Sequence, residues 1–508
     1  MQSHHAVQVE LLPLGKVLAV PPGTPLQDVL FDVGVEFPCG GRGRCKGCRV
    51  KVLSGNVPVA AEDRKTLTEA ELAAGWRLAC RLRAESDLRL ELAQWEPEIL
   101  SDQTAFHFTP QEGLGIALDL GTTTLVGQLL DLRTGHVLAV RTALNAQARH
   151  GADIMSRVDF GAQRAGLETL TRLIREQIGR IIGELLDAVP DRVGELGSIV
   201  LVGNTVMHHL FCGLRVEPLS HSPFEPEDDG LQVFRAQALG WALPSNPTVR
   251  FLPCLGGFVG SDILAGILAA RLHESAELVA LMDLGTNGEI VLGNRERLLC
   301  ASTAAGPAFE GARITMGMRA ATGAISEVVV RDGQFRCHVI GRAEPRGICG
   351  SGLVDAVACG LELGLIQPSG RLMGGPRLPL ASSVSLSQSD IRELQLAKGA
   401  IAAGLRILAQ QWGAALDEIT RIHLAGAFGN YINRQSARRV GLLPMPTERI
   451  EAAGNTALLG AKLALFNLNE QDGSYPALRH QVTHVSLKEA PEFQDIYVEE
   501  MRFPEVLL

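Results

Sequence analysis

Two copies of one short segment constrain the fold of this chain more than any other feature. The first is Asp119-Leu120-Gly121-Thr122-Thr123 and the second is Asp283-Leu284-Gly285-Thr286-Asn287. Each ends an apolar run and precedes another strand-like run, which predicts a strand, a tight turn and a second strand. A single copy is typical of an ordinary hairpin turn. Two copies favour a duplicated domain whose halves face each other across one nucleotide.

The residue types in both segments suit phosphate binding. Glycine lets the backbone turn sharply and approach a ligand closely. Threonine hydroxyls and neighbouring N–H groups can bind phosphate oxygens. Asp119 and Asp283, each near the end of its strand, are placed to hold a hydrated Mg²⁺. The sequence therefore predicts a phosphate-containing ligand with a divalent cation.

The paired segments resemble the two phosphate loops of the actin/sugar kinase/Hsp70 ATPase superfamily. A third segment, Leu424–Asn430, resembles the glycine motif with which that superfamily contacts adenosine, although alone it is more often a helix-packing turn. The resemblance implies ATP as the ligand and a duplicated α/β fold with actin-like, RNase H-like halves. We place this ATPase domain at residues 114–508, with halves at about 114–277 and 278–508.

Four of the ten cysteines lie in the first hundred residues, at Cys39, Cys45, Cys48 and Cys80. Their C-x5-C-x2-C-x31-C spacing provides the four thiolates that a [2Fe–2S] cluster needs. Zinc also takes four cysteines, but usually from two closely spaced pairs, so the cluster is favoured. The stretch resembles a β-grasp [2Fe–2S] ferredoxin, which implies an α+β domain at residues 1–95.

Composition and charge argue against several functions. A net charge of −9 over 508 residues gives no footprint for nucleic acid. No apolar run approaches the roughly 18 residues that a membrane span needs. The other six cysteines are scattered without a C-x-x-C pair, which indicates buried thiols in a reducing cytoplasm.

Four basic residues surround the cysteine loop: Arg42, Arg44, Lys46 and Arg49. Two interpretations of them stay open, a solvated surface and an electropositive docking face for an acidic partner.

Residues 96–113 are predicted to be a linker, because Gly, Pro and polar residues interrupt any helical or strand period. If it is flexible, it spans roughly 20–25 Å and lets the first domain move between an electron donor and an acceptor. No flavin or nicotinamide signature follows, so we expect an external low-potential donor.

A ferredoxin joined to a two-loop ATPase resembles the reductive activators of corrinoid proteins. Three further stretches are similar to that family: Gly203–His209, Asp283–Ile290 and Ala304–Gly311. Some members carry an additional middle domain after the linker. We expect none here, because Gly113 leads almost directly into the first strand of the ATPase.

The resemblance implies ATP-dependent reduction of cob(II)amide to cob(I)amide in a corrinoid methyl-transfer protein, by a homodimer formed through the ATPase domain. It makes the four cysteines above the cluster ligands. It gives phosphate and metal roles to Asp119, Gly121, Thr122, Thr123, Asp283, Gly285, Thr286 and Asn287, and adenosine contacts to Gly426, Ala427 and Gly429.

Glu289 is a candidate for the residue that positions the attacking water. Two alternatives stay open. One is a small-molecule kinase with a redox-sensing domain, and the other is an ATP-gated electron carrier for a different low-potential enzyme.

Overall fold

The computed structural model of the protein describes most of the chain. The described residues are 6–12, 16–31, 43, 48–92, 108–151, 153–285, 287–320, 323–340, 344–381, 383–467 and 474–505. Three of the predicted site residues, Cys39, Cys45 and Thr286, lie outside these ranges, as do the basic residues Arg42, Arg44 and Lys46.

A mixed sheet forms the N-terminal part of the chain. Its region contains β1 (Val7–Leu12), β2 (Lys16–Val20), β3 (Thr24–Pro25), α1 (Leu26–Phe31), β4 (Arg49–Ser54), α2 (Ala61–Thr66), α3 (Glu69–Ala73), β5 (Trp76–Leu78), β6 (Arg83–Ala84) and β7 (Leu88–Leu92). Among the described residues the sheet order is β2-β1-β7-β4-β5, and β1 pairs with β7 in parallel. This agrees with the predicted β-grasp. The short α2 and α3 are not predicted, because five or six residues show no helical period.

The first half of the remaining chain is built on a second sheet. Its elements are β8 (Leu114–Leu120), β9 (Thr124–Asp131), β10 (Val137–Leu144), α4 (Ile154–Gly161), α5 (Arg164–Leu186), β11 (Leu196–Gly203), α6 (Thr205–Cys212), β12 (Gln232–Arg235), β13 (Thr248–Phe251) and α7 (Ser261–Ala269). The sheet order within the described residues is β10-β9-β8-β11-β13-β12.

The second half has a third sheet with more helices around it. Its elements are β14 (Val279–Leu284), β15 (Gly288–Gly293), β16 (Leu298–Thr303), β17 (Ala324–Arg331), β18 (Gln334–Val339), β19 (Gly347–Ile348), α8 (Gly350–Glu362), β20 (Arg377–Ala381), β21 (Val384–Ser387), α9 (Gln388–Trp412), β22 (Arg421–Ala425), α10 (Gly426–Tyr431), α11 (Arg434–Arg439), β23 (Ile450–Gly454), α12 (Thr456–Asn467), α13 (Ser474–Gln481), β24 (Val482–His484) and α14 (Phe493–Glu500). The described part of the main sheet has the order β23-β22-β14-β15-β16-β24.

The two large sheets repeat one topology. Their common part is β10-β9-β8-β11-β13 in the first half and β16-β15-β14-β22-β23 in the second. In both, the first three strands form an antiparallel meander, and the fourth and fifth strands are parallel to the first. The repeat confirms the prediction of a duplicated α/β domain, and it places the β8–β9 and β14–β15 turns at equivalent positions.

An apolar core joins the two halves. It combines residues of α7, such as Ile263, with residues of α12, such as Leu458. The two helices approach closely, since a Cβ on Gly460 would lie 2.2 Å from the carbonyl oxygen of Ala265. Because α12 follows the edge strand β23 of the second sheet but packs on the first half, its N-terminus is brought to the β8–β9 turn.

Part of the predicted linker packs on the ATPase. The ring of Phe108 lies 4.5 Å from the ring of Phe466, and Gln111 Nε2 donates to the Phe466 carbonyl at 2.6 Å. The described residues 108–113 are therefore anchored beside α12, whereas residues 96–107 lie outside the described ranges. Within the described chain, no helix combines the length and the apolar character needed to cross a membrane.

Candidate functional site

Four acidic side chains interact where the two equivalent hairpins meet. Burial and the charge of Asp119 raise the pKa of Asp283 to about 7. Burial and the charges of Asp283 and Asp119 raise the pKa of Asp262 to about 8. The pKa of Glu289 is raised well above its usual value by burial and by the charges of Asp262 and Asp283. The structure thus brings the predicted acids of both halves together and adds Asp262, in the first turn of α7.

This set of acids suits a hydrated cation. Adjacent carboxylates disfavour each other's ionisation, and a divalent cation relieves that repulsion. Among the described residues, no three His, Cys, Asp or Glu side chains are close enough to ligate one ion directly. Mg²⁺ fits such spacing, because it usually keeps several waters and takes one or two carboxylates together with substrate phosphates.

The first loop, residues 121–123, is held by buried polar groups. Gly121 N–H donates to the Thr124 carbonyl at 3.1 Å, and a Cβ on Gly121 would lie 2.5 Å from that oxygen, so the turn requires glycine. Asn145 donates from its backbone N–H to the Thr123 carbonyl at 2.8 Å and from Nδ2 to the Gly121 carbonyl at 3.0 Å. The position of the first loop therefore depends on Asn145.

Thr122 receives two further hydrogen bonds. The fully buried Arg157 of α4 donates from its guanidinium to the Thr122 carbonyl at 2.5 Å and to the Gly151 carbonyl at 2.9 Å. Asn204 Nδ2 donates to Thr122 Oγ1 at 2.9 Å. Burial lowers the pKa of Arg157 to about 9, so a cation is held at some electrostatic cost directly behind the first loop.

The second loop, residues 285–287, differs in its surroundings. Gly285 N–H donates to the Asn287 carbonyl at 2.9 Å, and Thr286 lies outside the described residues. Asp283 and Glu289 are directly opposite each other on β14 and β15, and Glu289 Oε1 accepts from Ser302 Oγ at 3.4 Å. This loop therefore brings two acids side by side.

The glycine motif predicted to contact adenosine begins α10, beside the second loop. Gly426 has a φ of +81°, and a Cβ there would lie 2.5 Å from Asp283 Oδ1. Its missing side chain thus makes room for a carboxylate. Gly429 is buried, and a Cβ would lie 3.0 Å from Leu424 Cγ. Ala427 is helical, and its side chain lies outside the described set.

A repeated tripeptide supplies contacts that the sequence analysis missed. Gly454-Asn455-Thr456 repeats Gly203-Asn204-Thr205, and each Asn precedes a helix. Asn455 Nδ2 donates to Asp119 Oδ2 at 3.0 Å, as Asn204 does to Thr122. The repeat was a detectable signal for Asn455. For Asp262, the signal was a Gly-Ser-Asp segment at the start of an apolar helix.

The described part of the cysteine loop is folded against the turn that carries Cys80. Ala79 N–H donates to the carbonyl of the buried Cys48 at 3.0 Å. Gly43 has a φ of +67°, and a Cβ there would lie 2.9 Å from Arg81 Nε. Both described points of the loop therefore contact residues 79–81, which fits a site formed by the loop and Cys80 together. Cys39 and Cys45 lie outside the described residues.

The basic residue Arg49 serves the packing of the N-terminal domain. Its guanidinium pairs with Glu71 at 2.8 Å and lies 5.6 Å from the ring centre of Trp76. Of the four basic residues with two open interpretations, Arg49 is the one that the structure describes.

The fold and the site define a class of protein, an ATPase of the actin/sugar kinase type with an N-terminal ferredoxin-like domain. Residues 9–85 match a model of the 2Fe-2S iron-sulfur cluster binding domain, and residues 277–507 match the C-terminal domain of RACo, the ASKHA domain. Residues 114–275 match the RACo middle region. The chain belongs to the RACo family.

Relatives and a solved structure agree with this assignment. The corrinoid activation enzyme RamQ of Eubacterium limosum is 36 % identical over 418 residues, which are 76 % of this chain and 69 % of that protein. A [Co(II) methylated amine-specific corrinoid protein] reductase of Methanosarcina barkeri is 28 % identical over 77 % of both chains. The structure of a reductive activator for corrinoid, iron-sulfur protein superimposes with a TM-score of 0.69 at 27 % identity, covering 98 % of both chains.

The family model of the middle region matches residues 114–275. The middle region is the segment that carries the first loop and the sheet β10-β9-β8-β11-β13-β12. The match therefore falls on the first of the two duplicated halves, and the expected absence of an additional domain between the linker and the ATPase stays a prediction.

Proposed function

We propose that this protein is an ATP-dependent reductive activator, which converts cob(II)amide to cob(I)amide in a corrinoid methyl-transfer protein. The names of the two relatives and of the similar solved structure support this proposal. The remaining question is how an ATPase and a ferredoxin-like domain act together. One observation bears on it directly.

A short connector, residues 144–148, contacts both the N-terminal domain and the first loop of the ATPase. Leu144 ends β10, and Asn145 caps a single 3-10 turn, Ala146–Arg149, that follows it. Leu144 and Ala146 are buried in the apolar cluster that forms the core of the N-terminal domain, whereas Asn145 holds the first loop. Gln177 of α5 fixes the backbone between them, accepting from Ala146 N–H at 2.7 Å and donating to the Leu144 carbonyl at 2.5 Å.

The N-terminal domain also contacts the second half of the ATPase. Glu91 at the end of β7 forms an ion pair with Arg346, which precedes β19. The domain thus rests on both halves. A movement of the halves around Mg-ATP would change its position, and ATP can bias two conformations only if it contacts them differently.

We assign roles as follows. Asp119 and Asp283 hold hydrated Mg²⁺, Glu289 positions the attacking water, and the first and second loops bind the phosphates through Gly121, Thr122, Thr123, Gly285, Thr286 and Asn287. The adenosine contacts are Gly426, Ala427 and Gly429. Cys39, Cys45, Cys48 and Cys80 hold a [2Fe–2S] cluster, whose chemistry when bound is one-electron transfer from an external low-potential donor.

The proposal includes an organisation for the whole protein. Residues 1–95 form the ferredoxin domain, 96–113 the linker and 114–508 the ATPase, which mediates a homodimer in the cytoplasm.

The need for ATP follows from redox energetics. Plant-type centres lie near roughly −400 mV, we expect cob(II)amide to be harder to reduce, and each ~59 mV of mismatch is a tenfold change in a one-electron equilibrium.

The test follows formation of the cob(I)amide absorption band anaerobically, with reductant, corrinoid protein, this protein and Mg-ATP, omitting each in turn. All four should be required. Equal reduction without ATP would return the protein to the class of simple electron carriers, and phosphorylation of a sugar or acid would identify a kinase.

A variant at the connector tests the coupling itself. Ala146→Arg should disrupt the packing of the connector in the core of the N-terminal domain and leave the hydrogen bonds of Asn145 in place. We expect at least a tenfold slower cobalt reduction with ATP hydrolysis retained. Ala188→Arg, at an exposed position of the same half, is the matched control. Unchanged cobalt reduction in Ala146→Arg would rule out the connector as the link.

A further inference from the structure

The repeated Gly-Asn-Thr segments have the same local geometry. Asn204 Oδ1 accepts from Met207 N–H at 3.0 Å, and Asn455 Oδ1 accepts from Leu458 N–H at 2.8 Å. Each Asn therefore caps the N-terminus of its helix with its side-chain oxygen. Since the oxygen must face a backbone N–H, the amide orientation is determined, and Nδ2 points away from the helix in both cases.

Both Nδ2 groups end at the first loop segment. Asn204 comes from the fourth strand of the first sheet and donates to Thr122 Oγ1, while Asn455 follows the fifth strand of the second sheet and donates to Asp119 Oδ2. The hydroxyl of Thr122 accepts from Asn204, so its own hydrogen is left to donate to a ligand. Asp119 has one oxygen occupied by Asn455, and Oδ1 remains for a cation.

We propose that Asn204 and Asn455 are a pair of positioning residues, which orient the Thr122 hydroxyl and the Asp119 carboxylate toward Mg-ATP. This inference rests on the nucleotide site of the proposed function and adds residues to which that proposal gives no role. The hydrogen bond from Asn455 Nδ2 restrains the orientation of the Asp119 carboxylate.

The helix caps allow a clean substitution. Serine also caps helices well, but its shorter side chain has no Nδ2 to reach the loop. Asn455→Ser and Asn204→Ser therefore keep the cap and remove the donor. Asn294→Ser is the matched control, because Asn294 Oδ1 accepts from Glu296 N–H at 2.9 Å at the far end of β15 from the second loop.

The measurements are kcat and KM for ATP and the Mg²⁺ concentration that gives half-maximal hydrolysis, on the full-length holoprotein. Removing groups that orient metal ligands typically lowers metal affinity or activity about 10- to 100-fold. We expect Asn455→Ser to raise the half-maximal Mg²⁺ concentration and lower kcat by such a factor. Asn204→Ser should mainly raise KM for ATP. A purely structural role would not shift the Mg²⁺ requirement.

The outcomes separate the two proposals. Wild-type constants in both serine variants, equal to those of Asn294→Ser, would overturn the positioning role and leave the proposed function standing. A wild-type protein that neither binds nor hydrolyses Mg-ATP would overturn both. Should Asn455→Ser fail to fold, Asn204→Ser still tests the positioning role through its expected rise in KM for ATP, because its contact lies within the first half.

Discussion

The two loops occupy equivalent positions in duplicated sheets but are stabilised in different ways. The first loop is held by side chains from three separate segments, Asn145, Arg157 and Asn204, all buried. The described part of the second loop has the Gly285–Asn287 backbone hydrogen bond and Gly426 close by. The duplication therefore conserved the path of the backbone, whereas the side chains around it diverged.

The charges around the loops diverged as well. A buried guanidinium, Arg157, lies behind the first loop, and an acid, Glu289, lies opposite Asp283 at the second. Preorganised hydrogen-bond donors with a guanidinium nearby suit phosphate oxygens, whereas a pair of acids suits a metal ion and a water molecule. We therefore expect the donors around the first loop to determine nucleotide binding, and the acids of both loops to determine turnover.

The largest expected effect comes from removing the acid of either loop. Asp119→Ala and Asp283→Ala should each lower kcat for ATP hydrolysis by about a thousandfold, because positioned metal charge contributes several kcal/mol at a developing phosphoryl charge. Asp187→Ala, exposed after α5, should behave like wild type. The visible absorption of the cluster should be unchanged. Normal turnover in both Asp variants would mean that the loops do not form the site.

A methyl group at Gly426 tests the second loop. Gly426→Ala introduces strain at a φ of +81° and a contact with Asp283 Oδ1. Gly413→Ala is matched, since Gly413 has a φ of +87° and open space around its Cβ position. Both should lose roughly 1–2 kcal/mol of stability in denaturant titrations. Only Gly426→Ala should slow ATP hydrolysis, by about ten- to a hundredfold. Equal kinetics would exclude a role for this close approach.

Replacing the Arg157 guanidinium behind the first loop should affect ATP binding more than ATP turnover. Arg157→Met preserves volume but removes the donor to Thr122, and we expect KM for ATP to rise about tenfold, as for loss of a charged hydrogen bond. Ser302→Ala removes the donor to Glu289 at the second loop and should change KM by less than about threefold. A similar KM in the two variants would contradict the division of roles between the loops.

The smallest expected effect is on the pH dependence of the free energy of unfolding when no metal ion is bound. The pKa of Asp262 is raised to about 8, so between pH 4 and 8 the folded protein binds a proton that the unfolded chain releases. In the presence of a chelator, the contribution of Asp262 to stability should therefore fall as pH rises, by on the order of 1 kcal/mol per pH unit at most. Denaturant titrations at pH 5 and 7 should show a smaller loss for Asp262→Asn. An equal loss would place Asp262 outside the acidic set.

Several features of the fold and of the cluster domain could be predicted from local patterns in the sequence. The repeated Asp-Leu-Gly-Thr segments predicted two hairpins, which the structure confirms as β8–β9 and β14–β15. The apolar residues of α5, Arg164–Leu186, recur with the period of an amphipathic helix, a pattern that is visible in the sequence. The cysteine spacing predicted a 2Fe-2S domain, which the family match over residues 9–85 supports. Each of these signals lies within one continuous stretch of chain.

The tertiary structure alone decided which distant residues meet. Asn455 lies 336 positions beyond Asp119, and no period or spacing links them. They meet because α12 crosses to the first half, where Gly460 allows it to pack against α7. The connector became apparent in the same way, since only the folded chain shows Leu144 and Ala146 in the ferredoxin core and Asn145 at the first loop. Sequence determines local chemistry, and contacts between remote segments depend on how the helices and sheets pack.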